Sequence, residues 1–131
     1  MLNRRRLLYA FAAVPLMSQA SFAAGPTSVP FARGAFDNAQ KAGKSILVKI
    51  TAPWCPTCKA QRPILDQLTS APKFKDLAIF EIDFDSQQDL VAAFGANMQS
   101  TLIAFKGEHE TGRSVGDTNK TSIAALLDKT I

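Results

Sequence analysis

Both cysteines of this 131-residue chain lie in one stretch, Trp54-Cys55-Pro56-Thr57-Cys58-Lys59, and two residues separate them. The apolar run over 46–50 precedes this stretch and predicts a buried strand, while Ile64, Leu65 and Leu68 follow at helical spacing. A cysteine pair at a strand-to-helix junction can close a disulfide within one helical turn. Its first sulfur then lies at a helix N-terminus, where free N–H groups and the helix dipole stabilise a thiolate. The motif therefore indicates a site of thiol–disulfide exchange.

A purely structural disulfide is the alternative interpretation of the pair, because exported proteins use disulfides for stability. Cys55 and Cys58 would close only a very short loop. Such a cross-link removes little entropy from the unfolded chain, since the stabilisation grows with loop length. The spacing thus favours redox chemistry over a structural role.

The first 23 residues have the order of segments that is typical of a secretory signal peptide. Residues 1–6 carry three arginines and no acid, residues 7–17 are apolar apart from the Tyr9 hydroxyl, and small and polar residues follow. We expect cleavage before Ala24 and a periplasmic protein. The apolar segment is short of the about 20 residues that a transmembrane helix needs, although an uncleaved anchor is an alternative. The arginines suit both the general secretory and the twin-arginine export routes.

Loss of this segment would change the charge of the protein. The full chain has 15 basic and 11 acidic residues, and removal of Arg4, Arg5 and Arg6 leaves 12 basic residues, a formal net charge of +1. No Lys/Arg-rich run follows, and aromatic residues are not interleaved with basic ones. Nucleic-acid binding therefore has no support in the sequence.

The remaining sequence has the length of one domain, which we place at 31–131 after a flexible Pro/Ser/Thr lead-in over 24–30. Hydrophobic periodicity and glycine or proline breaks predict an alternation of strands and helices with a final hairpin. Such an order indicates an α/β fold with a central mixed sheet covered by helices on both faces. Helices are expected over 31–42, 55–70, 87–94 and 121–129, the last capped by Asn119 or Thr121, and strands over 46–51, 77–84, 101–106 and 111–115.

The chain resembles the thioredoxin family over nearly all of residues 24–131. The resemblance is carried by Ala52 to Lys59, by Pro63-Ile64-Leu65-Asp66, by the strand and turn at 101–107, and by Val115-Gly116. It implies a thioredoxin-like fold and an oxidoreductase that acts on protein disulfides without a cofactor, as a monomer. It also implies a membrane-embedded thiol carrier as the source of electrons.

The same resemblance implies a role for each residue near the pair. Cys55 would be the exposed attacking thiolate, and the less exposed Cys58 would resolve the mixed disulfide. Pro56 would stand early in the helix, where its missing N–H costs little. The implied substrate-binding surface consists of Trp54, Pro56, Thr57, Gln99, Ser100 and Thr101.

Ser100 departs from the family pattern, which places a cis-proline before the fourth strand, facing the cysteines. A cis bond before a residue other than proline costs about 2.5–4 kcal/mol, so we predict a trans Gln99–Ser100 peptide. The Ser100 hydroxyl could bind a cysteine sulfur, or it could fill a turn and bind its own backbone.

Lys49 and Glu81 form a second departure. The family usually has a buried Asp on the strand before the motif and a Lys on the next strand, so the charges here are reversed. Each residue interrupts an apolar strand, and a buried charge needs a partner. We hypothesise a Lys49–Glu81 pair beneath Cys58, with Glu81 moving protons to and from that thiol. In the alternative, one or both side chains lie at a strand edge in water.

A different class of function would use the same cysteines to bind a soft metal. Two thiolates at this spacing can bind Cu(I), and Met98 lies in the loop expected to face them. No histidine or further cysteine lies nearby, because the single His109 is expected in a solvated turn. This shortage of ligands makes copper binding the alternative, and disulfide exchange the favoured function.

Overall fold

The computed structural model describes residues 25–131, so the expected signal peptide and the alternative membrane anchor lie outside the described residues. The strands are β1 (Ser28–Pro30), β2 (Ser45–Thr51), β3 (Ala78–Asp83), β4 (Thr101–Lys106) and β5 (His109–Val115). The helices are α1 (Arg33–Lys41), α2 (Pro56–Thr69), α3 (Gln88–Ala93) and α4 (Lys120–Asp128), and a short 3₁₀ helix covers Pro72–Phe74.

The strands form one mixed sheet in the order β1-β3-β2-β4-β5. β1, β3 and β2 run parallel, whereas β4 pairs antiparallel with both β2 and β5. This arrangement confirms the α/β architecture with a mixed central sheet. It also brings the start of β4 beside the end of β2, because Thr101 pairs with Ile50.

Each face of the sheet carries its own apolar core. On one face, α1 and α3 pack over alternate strand residues such as Val48 and Ile82, together with a cluster of phenylalanine rings. On the other face, α2 and α4 cover Leu47, Ile79 and Leu102. Side chains alternate between the faces of a strand, so Lys49 and Glu81 lie on the face covered by α2 and α4.

The predicted helices and strands are present, with ends that differ by a few residues. Asn119 is the N-cap of α4, and its Oδ1 accepts the N–H groups of Thr121 at 2.9 Å and Ser122 at 3.1 Å. Pro63 lies inside α2, which nevertheless continues to Thr69. The last strand begins at His109, so it includes residues that we expected in the turn.

The expectation of a flexible lead-in was wrong for its last three residues. Ser28–Pro30 forms β1 and pairs in parallel with Ile79 to Glu81 of β3. Three residues are too few for a hydrophobic pattern to indicate a strand, and the strand exists because β3 offers its free edge. Pro30 is tolerated there, since an edge strand can leave one N–H position unpaired.

Within residues 25–131, no helix has both the length and the apolar character that crossing a membrane requires.

Candidate active site

Cys55 and Cys58 form a disulfide at the N-terminus of α2, with 5.3 Å between their Cα atoms. Cys55 is the N-cap of the helix, and its Sγ accepts the backbone N–H of Cys58 at 3.1 Å. Pro56 follows in the first turn, where no intrahelical N–H is needed. In the reduced protein, this N–H and the positive end of the helix dipole would stabilise a Cys55 thiolate. The predicted placement of the pair is confirmed.

The predicted exposure of Cys55 was wrong. Cys55 is 1% exposed and Cys58 is 7% exposed, so the expected attacking residue is the more buried of the two. The reason is the N-cap geometry, which turns the sulfur back over the first helical turn. There Cys55 packs in a small cluster with Ala52, Cys58 and the partly buried Phe84. A substrate sulfur can therefore reach Cys55 only in close contact with the residues packed around it.

Trp54 is the exposed neighbour of the disulfide. Its side chain is 55% exposed, and its Nε1–H donates to Oδ2 of Asp85 at 2.7 Å. Asp85 lies two residues after the end of β3, and this contact gives it a role in orienting the indole. Pro56 is also exposed, whereas Thr57 is half-buried.

The residues before β4 adopt an unusual conformation. The Gln99–Ser100 peptide is trans, as predicted, and Ser100 has a φ of 57°, in the left-handed region. Ser100 is buried, and its hydroxyl donates to the carbonyl of Gln99 at 2.6 Å. The Ser100 hydroxyl therefore binds its own backbone, which is one of the two roles that the sequence left open, and not a cysteine sulfur. Thr101 is also buried, and its Oγ1 donates to the Met98 carbonyl at 2.7 Å.

Gln61 is the site residue that sequence reasoning missed. It is only 3% exposed, and its Nε2 donates to the carbonyl of Ser100 at 3.2 Å and to that of Asp117 at 2.8 Å. The available signal was its position on α2. Gln61 shares the buried stripe of this helix with Cys58 and Leu65, and a polar side chain in a buried stripe needs a partner.

Lys49 and Glu81 are paired, with 3.7 Å between Nζ and Oε2. The Lys49 side chain is 14% exposed and that of Glu81 is 42% exposed, so Lys49 is mainly buried and Glu81 reaches water. Two hydroxyls also donate to the Glu81 carboxylate, Ser28 Oγ to Oε2 at 3.1 Å and Thr51 Oγ1 to Oε1 at 3.2 Å. A cavity of about 310 Å³ beside β1 is lined by Glu81, Asp83 and Gln87. Glu81 thus lies between a buried cation and solvent.

The copper hypothesis stays a prediction. Met98 is 46% exposed in the loop before Ser100. Across residues 25–131, no three histidine, cysteine or carboxylate side chains are grouped as a metal site.

Comparisons with known proteins agree with this geometry. The thioredoxin family model matches residues 28–129. Thioredoxin H4 of Arabidopsis thaliana is 34% identical over 94 residues, which cover 71% of this chain and 76% of the relative. Thioredoxin of Pseudomonas aeruginosa is 33% identical over 91 residues, or 70% of this chain and 83% of the relative.

Among solved structures, Trxlp from Edwardsiella tarda EIB202 is similar with a TM-score of 0.74 and 36% identity, over 77% of this chain and 98% of that one. The fold, the cysteine pair at the start of α2 and these matches together show that the chain belongs to the thioredoxin family and is a thiol–disulfide oxidoreductase.

Proposed function

We propose that this protein is an exported, periplasmic oxidoreductase that reduces disulfides in substrate proteins. The observation that carries the chemistry is the Cys55 sulfur at the N-cap of α2, where it accepts the Cys58 N–H at 3.1 Å. That hydrogen bond favours the thiolate and makes it the better leaving group when the disulfide reopens. The reducing direction is supported by the sequence flanking the motif, which resembles that of reducing thioredoxins.

The reaction proceeds in two exchanges. The Cys55 thiolate attacks one sulfur of the substrate disulfide, which forms a mixed disulfide and releases the first substrate thiolate. Cys58 then loses its proton and attacks the Cys55 sulfur, which breaks the mixed disulfide and releases the second thiolate. The dithiol loses two electrons, the substrate disulfide gains them, and the enzyme is left with the disulfide between Cys55 and Cys58.

Glu81 is the base that we assign to the second exchange. It lies on the sheet face covered by α2, beside Lys49. Its partial exposure and the adjoining cavity let its carboxylate exchange protons with water. Lys49 and the two hydroxyls fix the orientation of the carboxylate.

The oxidised protein needs a supply of electrons after each turnover. The sequence carries no glycine-rich phosphate loop of the kind that binds nucleotide cofactors. We assign the supply to a membrane-embedded thiol carrier, whose thiolate would attack the Cys55 sulfur.

The reduction potential of the pair tests the direction of electron flow. We expect equilibration with defined glutathione buffers to give a value near the about −270 mV of thioredoxin. A value of about −120 mV, typical of a strongly oxidising bacterial disulfide donor, would overturn the reductase proposal. A separate experiment identifies the substrates. A Cys58→Ser variant stops at the mixed disulfide, so substrate proteins stay covalently bound to it and can be recovered.

A further inference from the structure

Gln61 joins the helix that carries the cysteines to two loops at the same end of the sheet. Its Nε2 donates to the carbonyls of Ser100 and Asp117. The Ser100 carbonyl also accepts the backbone N–H of Gly116 at 3.0 Å. Gln61 is three residues after Cys58 on the buried stripe of α2, so both loops are held one helical turn from the redox pair.

The loop before β4 needs such a tie because its own chain does not fix its shape. Ser100 has a φ of 57° without the freedom of glycine, and a conformation of this kind persists only where its surroundings enforce it. The hydroxyls of Ser100 and Thr101 bond only to carbonyls within the same turn. The bond from Gln61, in contrast, links this turn to another element.

The loop also lies at the end of the sheet where β2 leads into the cysteine pair. Thr101 pairs with Ile50, so Ser100 lies beside the end of β2, and Ala52, which clusters with both cysteines, follows that strand directly. Cys55 is 1% exposed, and therefore a substrate sulfur can reach it only in close contact with the surrounding chain. Trp54, Met98 of this loop and Val115, which pairs with Thr101, are large apolar side chains that are exposed.

We propose that Gln61 is a positioning residue for polypeptide substrates. Its amide holds the main chain at Gln99–Ser100 in one conformation, against which the segment flanking a substrate disulfide docks. Gln61 does not touch the sulfurs in this role, so it affects binding of a protein disulfide and not the exchange step itself. The inference rests on the proposed reductase function.

The test compares a protein disulfide with one that has no peptide backbone. In Gln61→Leu, the buried carbonyl of Ser100 and the partly buried carbonyl of Asp117 each lose a donor. We therefore expect kcat/KM for insulin reduction, with dithiothreitol as electron source, to fall about tenfold through KM. Reduction of cystamine should stay within about twofold of the wild type, and the reduction potential should be unchanged. Gln67→Leu, on the exposed side of the same helix, is the matched control and should change neither rate.

A second variant supplies a pH signature and covers the case in which Gln61→Leu does not fold. In Gln61→Glu, a carboxylate faces two carbonyls and repels them, whereas the protonated acid can donate one hydrogen bond. The ratio of variant to wild-type kcat/KM for insulin should therefore rise as the pH falls from about 8 to 5. A ratio that is independent of pH, or equal losses with insulin and cystamine, would overturn the role of Gln61. Wild-type protein that reduces neither substrate would instead refute the reductase function.

Discussion

Ser100 shows how one residue can set the cost and the shape of a loop. A left-handed backbone costs a residue with a Cβ about 1–2 kcal/mol relative to the right-handed region. Here the φ of 57° is accompanied by burial and by the hydroxyl bond to the Gln99 carbonyl. The serine is therefore a compromise between backbone strain and local hydrogen bonding.

Substitutions at Ser100 should separate these effects. Glycine removes the strain but loses the hydroxyl bond and adds freedom to the unfolded chain, so the free energy of unfolding should stay within about 1 kcal/mol of the wild type. Valine is β-branched and larger, and should lower it by about 2 kcal/mol or more. Urea unfolding of Ser100→Gly and Ser100→Val measures both values. Equal stability of the two variants would show that the left-handed conformation is not enforced.

Replacement of Glu81 tests the assignment of the base. Glu81→Gln keeps the shape of the side chain but cannot take a proton, so resolution of the mixed disulfide should slow by about tenfold or more. Alkylation of Cys55 by iodoacetamide should be nearly unchanged. Asp83→Asn removes another carboxylate that lines the same cavity and should leave resolution unchanged. Equal effects of Glu81→Gln on both steps, or on neither, would contradict the assignment.

For single residues, the sequence predicts which side chains react or pair better than it predicts their burial and contacts. The motif and its flanks were sufficient to place Cys55 at a helix N-terminus, and charged residues in apolar strands were sufficient to pair Lys49 with Glu81. The burial of Cys55 and the contacts of Gln61 could not be predicted. Both depend on which loops meet at the end of the sheet, and local spacing does not encode that.

Among the elements, α4 owes its start to a side chain that the sequence identified. Asn119 accepts two N–H groups of the first turn, which would otherwise lack partners. The turn before the helix is tied to the same cap, because Asp117 Oδ1 accepts the N–H of Asn119 at 2.8 Å. This cap also supports the loop whose Asp117 carbonyl binds Gln61.

Loss of the cap should lower stability by a measurable amount. Asn119→Ala should reduce the free energy of unfolding by about 1 kcal/mol, since the cap side chain is lost. The control is Asn38→Ala, an exposed position inside α1, where alanine is the better helix former and stability should stay equal or rise slightly. A thermal or urea unfolding curve for each variant gives the comparison. Equal losses in both variants would argue against a capping role.

Elements with a strong period were predictable, and those that depend on a neighbour were not. The helices and the strands β2, β3 and β4 have apolar residues in patterns that the sequence displays, whereas β5 is mostly polar and follows from the turn before it. β1 has only three residues, two of them exposed, and is defined by its pairing with β3. Its Ser28 then reaches Glu81, so a strand that the pattern does not reveal contributes to the site.

At the scale of the whole molecule, the proposed export to the periplasm depends on the first 23 residues. These residues lie outside the described part of the chain. We expect the full chain, expressed in a Gram-negative host, to be recovered from the periplasm as a protein that begins at Ala24. Intact mass and N-terminal sequencing of the periplasmic fraction measure this directly. Full-length protein in the membrane fraction would indicate the uncleaved anchor, and cytoplasmic protein would contradict export.

The exposed indole beside the disulfide has a practical consequence. Trp54 is the single tryptophan of the chain, and the single tyrosine, Tyr9, belongs to the segment expected to be removed. Near-ultraviolet emission of the mature protein therefore comes from one ring, which is adjacent in sequence to Cys55 and hydrogen-bonded to Asp85. Disulfides quench a neighbouring excited indole more strongly than thiols do. The molecule thus carries its own optical reporter, and each turnover can be followed in real time without a dye.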